Sequence, residues 1–151
     1  MFERVNLPDD WELLPLGLLR QSKSVTFNPS KEIGNTFELY SIPSHAIKKP
    51  EITKTESIGS NKQFVDIGDV LISKINPRLN RVWVVGDFSK YPKIASTEWI
   101  VLKPTSEVIA SDYLAYLLEQ YQIRDYLCQN VSGVGGSLTR IRPSIIDNIQ
   151  V

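Results

Sequence analysis

Three short runs of residues set the terms on which this chain can fold. Val70-Leu71-Ile72-Ser73-Lys74-Ile75, Val82-Trp83-Val84-Val85 and Trp99-Ile100-Val101-Leu102 are rich in β-branched and aromatic side chains. Turn signals bound them: Gly68-Asp69 before the first, Gly86-Asp87 after the second, Pro104 after the third. Their apolarity is nearly continuous rather than alternating, so each reads as a strand with both faces covered. One cover is legible downstream. Residues 111–129 read as a helix with Ser111 as its N-terminal cap. Leu114, Leu117, Leu118 and Tyr121 fall at i, i+3, i+4 and i+7, and Tyr113, Tyr116, Ile123 and Leu127 widen that apolar face. Such a helix should lie against the sheet.

The rest of the chain is read from its breakers and caps. Before Arg20, Trp11 and five leucines are interrupted by Pro15 and Gly17, which disfavour a long helix. Phe37-Glu38-Leu39-Tyr40-Ser41-Ile42 has strand composition and stops at Pro43. Residues 46–63, rich in Lys, Glu, Thr, Ser and Pro, read as an exposed loop. Ser132-Gly133-Val134-Gly135-Gly136-Ser137 reads as a flexible loop. Ser144-Ile145-Ile146-Asp147 resembles a capping box that uses Asp, which predicts a short final helix. No internal repeat or domain boundary is visible.

The 151 residues, 42% of them apolar, suit one domain with a real hydrophobic core. No stretch approaches the roughly 18 apolar residues of a membrane span, and Met1 to Pro8 carries no signal pattern, so the expected location is the cytoplasm. Cys128 is the sole cysteine and His45 the sole histidine, which excludes an internal disulfide and leaves few ligands for a metal. Formal net charge is zero, which disfavours a strongly basic nucleic-acid protein. The distribution is uneven, however. Between Leu71 and Lys103, Lys74, Arg78, Arg81, Lys90, Lys93 and Lys103 face only Asp87 and Glu98, an excess of four positive charges.

Several chemistries find no support in the residues. A Ser-His-Asp or Cys-His hydrolase would have to use His45, and no Gly-x-Ser-x-Gly elbow accompanies it. The glycine run at 133–136 follows a helix instead of opening one, and no Gly-Lys-Ser/Thr occurs, so a mobile hinge fits better than a phosphate loop. Asn76-Pro77-Arg78-Leu79 lacks the second proline and the aromatic of an adenine methyltransferase motif. Pro8-Asp9 has no Asp-x-Lys or Glu-x-Lys to make a nuclease site. The reading is therefore of a chain without catalytic residues, cofactor or metal.

What is present is a polar loop between two apolar strands. Ser73-Lys74-Ile75-Asn76-Pro77-Arg78-Leu79-Asn80-Arg81 packs two Arg, one Lys and two Asn into nine residues. Arg can bond bidentately to guanine and Asn to adenine, and Pro77 reduces the entropy lost on ordering. The same composition also fits a solvated hairpin end. Lys90, Tyr91, Lys93, Ser96 and Thr97 form a second set suited to phosphate contacts, and Ser137, Thr139, Arg140 and Arg142 a third. Ordinary loop chemistry fits both as well. Glu98 could accept from a cytosine amine, or pair with a neighbouring Arg or Lys and orient it. Trp83 and Trp99 lie in apolar strands and look like core, which argues against single-stranded RNA binding.

Taken in order, these segments resemble a known pattern. Trp11-Glu12-Leu13-Leu14-Pro15-Leu16-Gly17, Gly68-Asp69-Val70-Leu71 leading to Lys74-Ile75-Asn76-Pro77-Arg78, Ala95-Ser96-Thr97-Glu98-Trp99, Tyr113-Leu114-Ala115-Tyr116-Leu117, and Thr139-Arg140-Ile141 with Ile145-Ile146-Asp147-Asn148-Ile149 are similar to the succession of motifs in target-recognition domains of type I restriction-modification specificity subunits. The resemblance covers nearly the whole chain. It implies an α+β fold, one globular domain over residues 1–151, with a twisted sheet, mostly antiparallel or mixed, packed on a few helices. It implies non-catalytic, sequence-specific recognition of one half of a split double-stranded DNA target. Methyltransferase and restriction subunits would be partners, with a homodimer or a second half-subunit as a further possibility. Lys74, Asn76, Arg78, Arg81, Lys93, Ser96, Thr139 and Arg140 are the candidate DNA contacts. The family's spacer helix would normally begin near Gln150-Val151, and the expectation for residues 1–151 is a domain without it. Two rivals stay open: a protein-interaction adaptor using the Tyr-rich helix face, and a small hydrolase using His45.

Overall fold

The computed structural model describes residues 6–21, 25–132 and 139–151. Eight strands form two sheets, and two helices follow them. The strands are β1 (Thr26–Phe27), β2 (Thr36–Tyr40), β3 (Glu51–Lys54), β4 (Lys62–Phe64), β5 (Val70–Ser73), β6 (Val82–Val84), β7 (Lys93–Ser96) and β8 (Trp99–Leu102). The helices are α1 (Ser111–Leu118) and α2 (Tyr121–Gln129).

The three apolar runs identified from sequence form one antiparallel sheet, ordered β6-β5-β8. The second sheet has the order β1-β4-β7-β2-β3 and is mixed, with β2 and β7 parallel and the other pairs antiparallel. The three-stranded sheet lies between this larger sheet and the helices. Val70 and Ile72 of β5, Val82 of β6, and Ile100 and Leu102 of β8 join Leu114, Leu118, Ile123 and Leu127 in one core. Leu71, Trp83, Trp99 and Val101, on the opposite face, join Tyr40 and Ala95 of the larger sheet in another. Alternate residues thus point into different cores, which accounts for the unbroken apolarity of the runs. The fold class is α+β, as expected.

The N-terminal segment and the tail close the helical core from one side. Leu14 and Val151 exchange both backbone hydrogen bonds, Leu16 N–H donates to Ile149, and Gly17 N–H donates to Asp147. A side chain at Gly17 would meet Asp147 Cβ at 3.0 Å, so the close approach of these strands of chain depends on glycine. Arg20 clamps the contact with two hydrogen bonds to Asp147, of 2.7 and 2.9 Å. Pro15 and Gly17 leave only a 3-10 turn, Leu16–Leu18.

Four local expectations are corrected. Residues 46–63 are not simply a loop: they include β3 and β4. The charged residues of β3 are tolerable because it is an edge strand, stitched only to β2, where charge protects against further pairing. The expected helix over 111–129 is two helices, because Gln120 takes an extended conformation. Asn80 Nδ2 donates to the freed carbonyl of Leu118 at 3.0 Å, and the turn lets Ile123 and Leu127 reach the core that Leu114 and Leu118 occupy. Tyr113, Tyr116 and Tyr121 consequently stay exposed. Ser111 does not cap α1; its hydroxyl donates to the Gly68 carbonyl at 2.6 Å, and Ala110 stands at the cap position. The capping box of residues 144–147 does not form. A 3-10 turn, Pro143–Ile145, stands there without a side-chain cap, and Asp147 is engaged by Arg20. The glycine loop at 133–137 lies outside the described residues.

Asn80 combines two roles, a left-handed backbone (φ 41°) and the bond to Leu118. Asn80→Gly keeps the first and loses the second, and should cost about 1 kcal/mol in urea unfolding. Asn80→Ala loses both and should cost about 2 kcal/mol. Equal costs would show that the left-handed backbone contributes nothing.

Candidate nucleic-acid interface

Past Ser73 the chain of β5 continues to pair, but with new partners. Lys74 N–H donates to the Glu98 carbonyl at 2.8 Å, Asn76 N–H to the Thr139 carbonyl at 2.8 Å, and Ile141 N–H to the Lys74 carbonyl at 2.8 Å. Arg140 bridges to Ile75 on one side and to Ser132 on the other. Three separate segments therefore meet at this end of the three-stranded sheet: residues 73–81, the turn between β7 and β8, and residues 139–141. Six of the eight sequence candidates lie in these segments around one junction, namely Lys74, Asn76, Arg78, Arg81, Thr139 and Arg140. Ser96 sits at the turn beside it, and Lys93 lies elsewhere.

The loop from Asn76 to Asn80 is held in a fixed shape. Asn76 (φ 46°) and Asn80 (φ 41°) both adopt the left-handed conformation that Asn tolerates better than most residues. Between them Pro77–Leu79 make a 3-10 turn, with Pro77 buried. Arg78 and Leu79 stand exposed at the tip, and Arg78 makes no hydrogen bond or ion pair among the described residues. The Arg81 guanidinium reaches back toward the Ile75 carbonyl at 3.5 Å. Asn76 Oδ1 is turned inward, buried and without a partner among the described residues.

The β7–β8 turn is equally constrained, because it carries the chain from one sheet to the other. Gln63 Nε2 donates to the carbonyls of Ser96 (3.0 Å) and Trp99 (2.8 Å) on either side of it. Ser96 Oγ accepts from the Glu98 N–H. Lys74 Nζ donates to the Thr97 carbonyl at 2.8 Å. Burial pulls the Lys74 ammonium below its ordinary pKa; the Glu98 charge opposes that shift and Arg140 adds to it. Glu98 binds the Arg140 guanidinium directly, a basic partner 42 positions away in the sequence.

The positive excess of residues 71–103 does not gather in one place. Lys103 sits at the other end of β5, bound to Asp69 at 2.7 Å and Asp66 at 3.1 Å. Burial raises the Asp69 carboxyl, and the hydrogen bond from Lys103 opposes it. Lys90 lies over the Tyr91 ring. Lys93 Nζ lies 3.5 Å from both Glu38 and Asp87, with its side chain 10% exposed and that of Glu38 fully buried. Glu38 also accepts from Tyr40 and Ser89, each at 2.7 Å, and burial with the bond to Glu38 raises the Tyr40 hydroxyl. Lys93 thus balances a buried carboxylate. The parallel register of β2 and β7 places Glu38 opposite Lys93, and a buried carboxylate needs such a partner.

His45 packs edge-on to Trp83 and near Trp99, with ring centroids 5.9 Å apart in each case. Lys48 Nζ lies 2.7 Å from its Nε2 and donates to the Val82 carbonyl. Burial first, and Lys48 second, hold its pKa below the usual value. Among the described residues no three His, Cys, Asp or Glu side chains converge as a metal site would require. A groove of about 490 Å³ opens between α1 and β6. Asp112 and Glu119 face Lys48 on its walls, a balance that does not favour phosphate.

A chain from a study of the structural basis of complex assembly and conformational transition of the type I R-M system aligns with TM-score 0.78 and 19% identity, over 97% of this chain and 38% of that one. The HsdS subunit from Thermoanaerobacter tengcongensis aligns with TM-score 0.73 and 18% identity, over 98% of this chain and 39% of that one. The fold is that of a part of these chains, an HsdS subunit among them. The chain spans under two fifths of the length of each of these relatives. Neither a protein-family model nor a curated protein matches it. Among the described residues no helix is long and apolar enough to cross a membrane.

Lys93→Ala should leave Glu38 buried and unpaired, at a cost of about 3–5 kcal/mol in chemical unfolding. The double variant Lys93→Ala/Glu38→Gln should recover much of that loss. A cost below about 0.5 kcal/mol would mark the pair as an ordinary surface contact.

Proposed function

We propose that this chain is a non-catalytic DNA target-recognition domain. It reads one half of a bipartite double-stranded target as the specificity component of a type I restriction-modification system. The observation that carries the reading is a specificity-subunit fold over 97–98% of the chain. The junction at the end of the three-stranded sheet supports it independently. Lys74, Arg78, Arg81 and Arg140 supply positive charge there on backbone that the two sheets hold in place. Such a surface can neutralise phosphates and present guanidinium groups to base edges at low entropic cost.

Arg78, exposed at the tip of a rigid turn, is the base reader in this assignment. Lys74, Arg81 and Thr139 fix the register of the duplex with Ser96 beside them, Arg140 presents its guanidinium at the same surface, and Asn76 shapes the loop. Lys93 contributes through the fold. No metal or cofactor enters. The partners are double-stranded DNA, a methyltransferase subunit and a restriction subunit in the cytoplasm, with a second copy or second half-subunit reading the other half-site.

The adaptor reading draws on one observation, the exposed tyrosines 116 and 121 on the helices. A binding selection from a random duplex library at moderate salt separates the two. An enriched short motif is expected, and Arg78→Ala should relax it at one position by about 1–3 kcal/mol, roughly 5- to 150-fold. No enrichment, with or without a type I methyltransferase subunit, would leave the adaptor reading in its place.

A further inference from the structure

We infer that Glu98 is a specificity-determining residue of this interface, one that withholds the Arg140 guanidinium from indiscriminate use on phosphate. The inference rests on the DNA-binding reading above. Segments 73–81, 96–99 and 139–142 carry Lys74, Arg78, Arg81, Arg140 and Arg142, and Glu98 is their single carboxylate. It lies beside Lys74 and Arg140. Its side chain bonds Arg140 Nη1, its carbonyl accepts from Lys74 N–H, and its own N–H is tied to Ser96 Oγ.

Solubility alone does not account for such a placement. The turn that carries Glu98 is fixed by Gln63 on both flanks, so the carboxylate has a defined position. Arg140 is 53% exposed on its side chain and Glu98 29%, so the pair faces solvent at the surface a duplex would meet. A guanidinium has five donors in a planar fork. One of them, on Nη1, is spent on Glu98, which draws the guanidinium to its side and leaves four donors for a ligand. A carboxylate in this place also repels phosphate, while a base edge carries no charge for it to oppose. The arrangement therefore disfavours the sequence-independent part of binding more than the sequence-dependent part. It weakens the wrong complexes by a repulsive element rather than strengthening the right one.

The test compares wild type with Glu98→Gln, Arg140→Ala and the double variant, on the selected duplex and on a random duplex, across a salt series. Glu98→Gln should bind the random duplex about tenfold more tightly, and its salt slope should steepen by about 0.9, one further phosphate neutralised. The ratio of selected to random affinity should fall by a similar factor. On an Arg140→Ala background the Glu98→Gln effect should shrink to the loss of carboxylate–phosphate repulsion alone, a coupling that a merely structural role would not produce. Thermal unfolding of each variant identifies any loss of fold, and Glu98→Asp, which keeps the charge, should retain most of the wild-type ratio. A selective wild type whose ratio and slope are unmoved by Glu98→Gln overturns the inference and leaves the DNA reading intact. Weaker binding to both duplexes overturns it too, in favour of Glu98 holding Arg140 in place for a phosphate contact. A wild type that binds neither duplex overturns the DNA reading itself, and the inference with it.

Discussion

In the three-stranded sheet, Val70, Ile72, Val82, Ile100 and Leu102 point toward the helices while Leu71, Trp83, Trp99 and Val101 point toward the larger sheet. Neither set can remain dry without its own cover. The helices and the paired terminal segments supply one, and β2 and β7 supply the other. Each cover brings its own polar obligations. Tyr40 accepts the Trp99 indole N–H on its carbonyl at 3.0 Å, and Glu38 needs Lys93. Double burial of a short sheet thus determines both the layer order and the few charges allowed inside it.

The same constraint produces the candidate interface. A sheet covered on both faces can offer a ligand only its ends and edges. At one end Lys103 is matched by Asp66 and Asp69. At the other, β5 runs on into Lys74 and Asn76, the β7–β8 turn crosses between sheets, and residues 139–141 are stitched in by backbone bonds. The cations at this end are balanced by Glu98 alone within their own segments. A rigid scaffold with a polar, cationic end is the usual design of a recognition surface, and Asn76 and Asn80 maintain its shape through left-handed backbone conformations rather than through glycine.

The three apolar runs were legible in the sequence because continuous apolarity has one physical meaning in short strands. The split of the long helix was not, since it depends on Asn80 reaching Leu118 across 38 residues. β3 escaped notice because an edge strand need not be apolar, and β4 because Lys62 is buried by its stem while its ammonium bonds Ser60. Within the candidate site, the residue types of the 74–81 loop were informative. Their union with Arg140 was not visible, because it comes from backbone pairing between segments far apart in the chain. Lys93 was assigned by local composition to the surface, whereas its partner, Glu38, lies 55 positions earlier in the sequence on a neighbouring strand.

The central claim is that recognition resides at this end of the three-stranded sheet. The most direct measurement is amide hydrogen exchange of the chain with and without its selected duplex. Protection concentrated in residues 73–81, 96–99 and 139–142, with little change along Tyr113–Tyr121, is the predicted result. Protection confined to the helix face, with the sheet end unchanged, would contradict it.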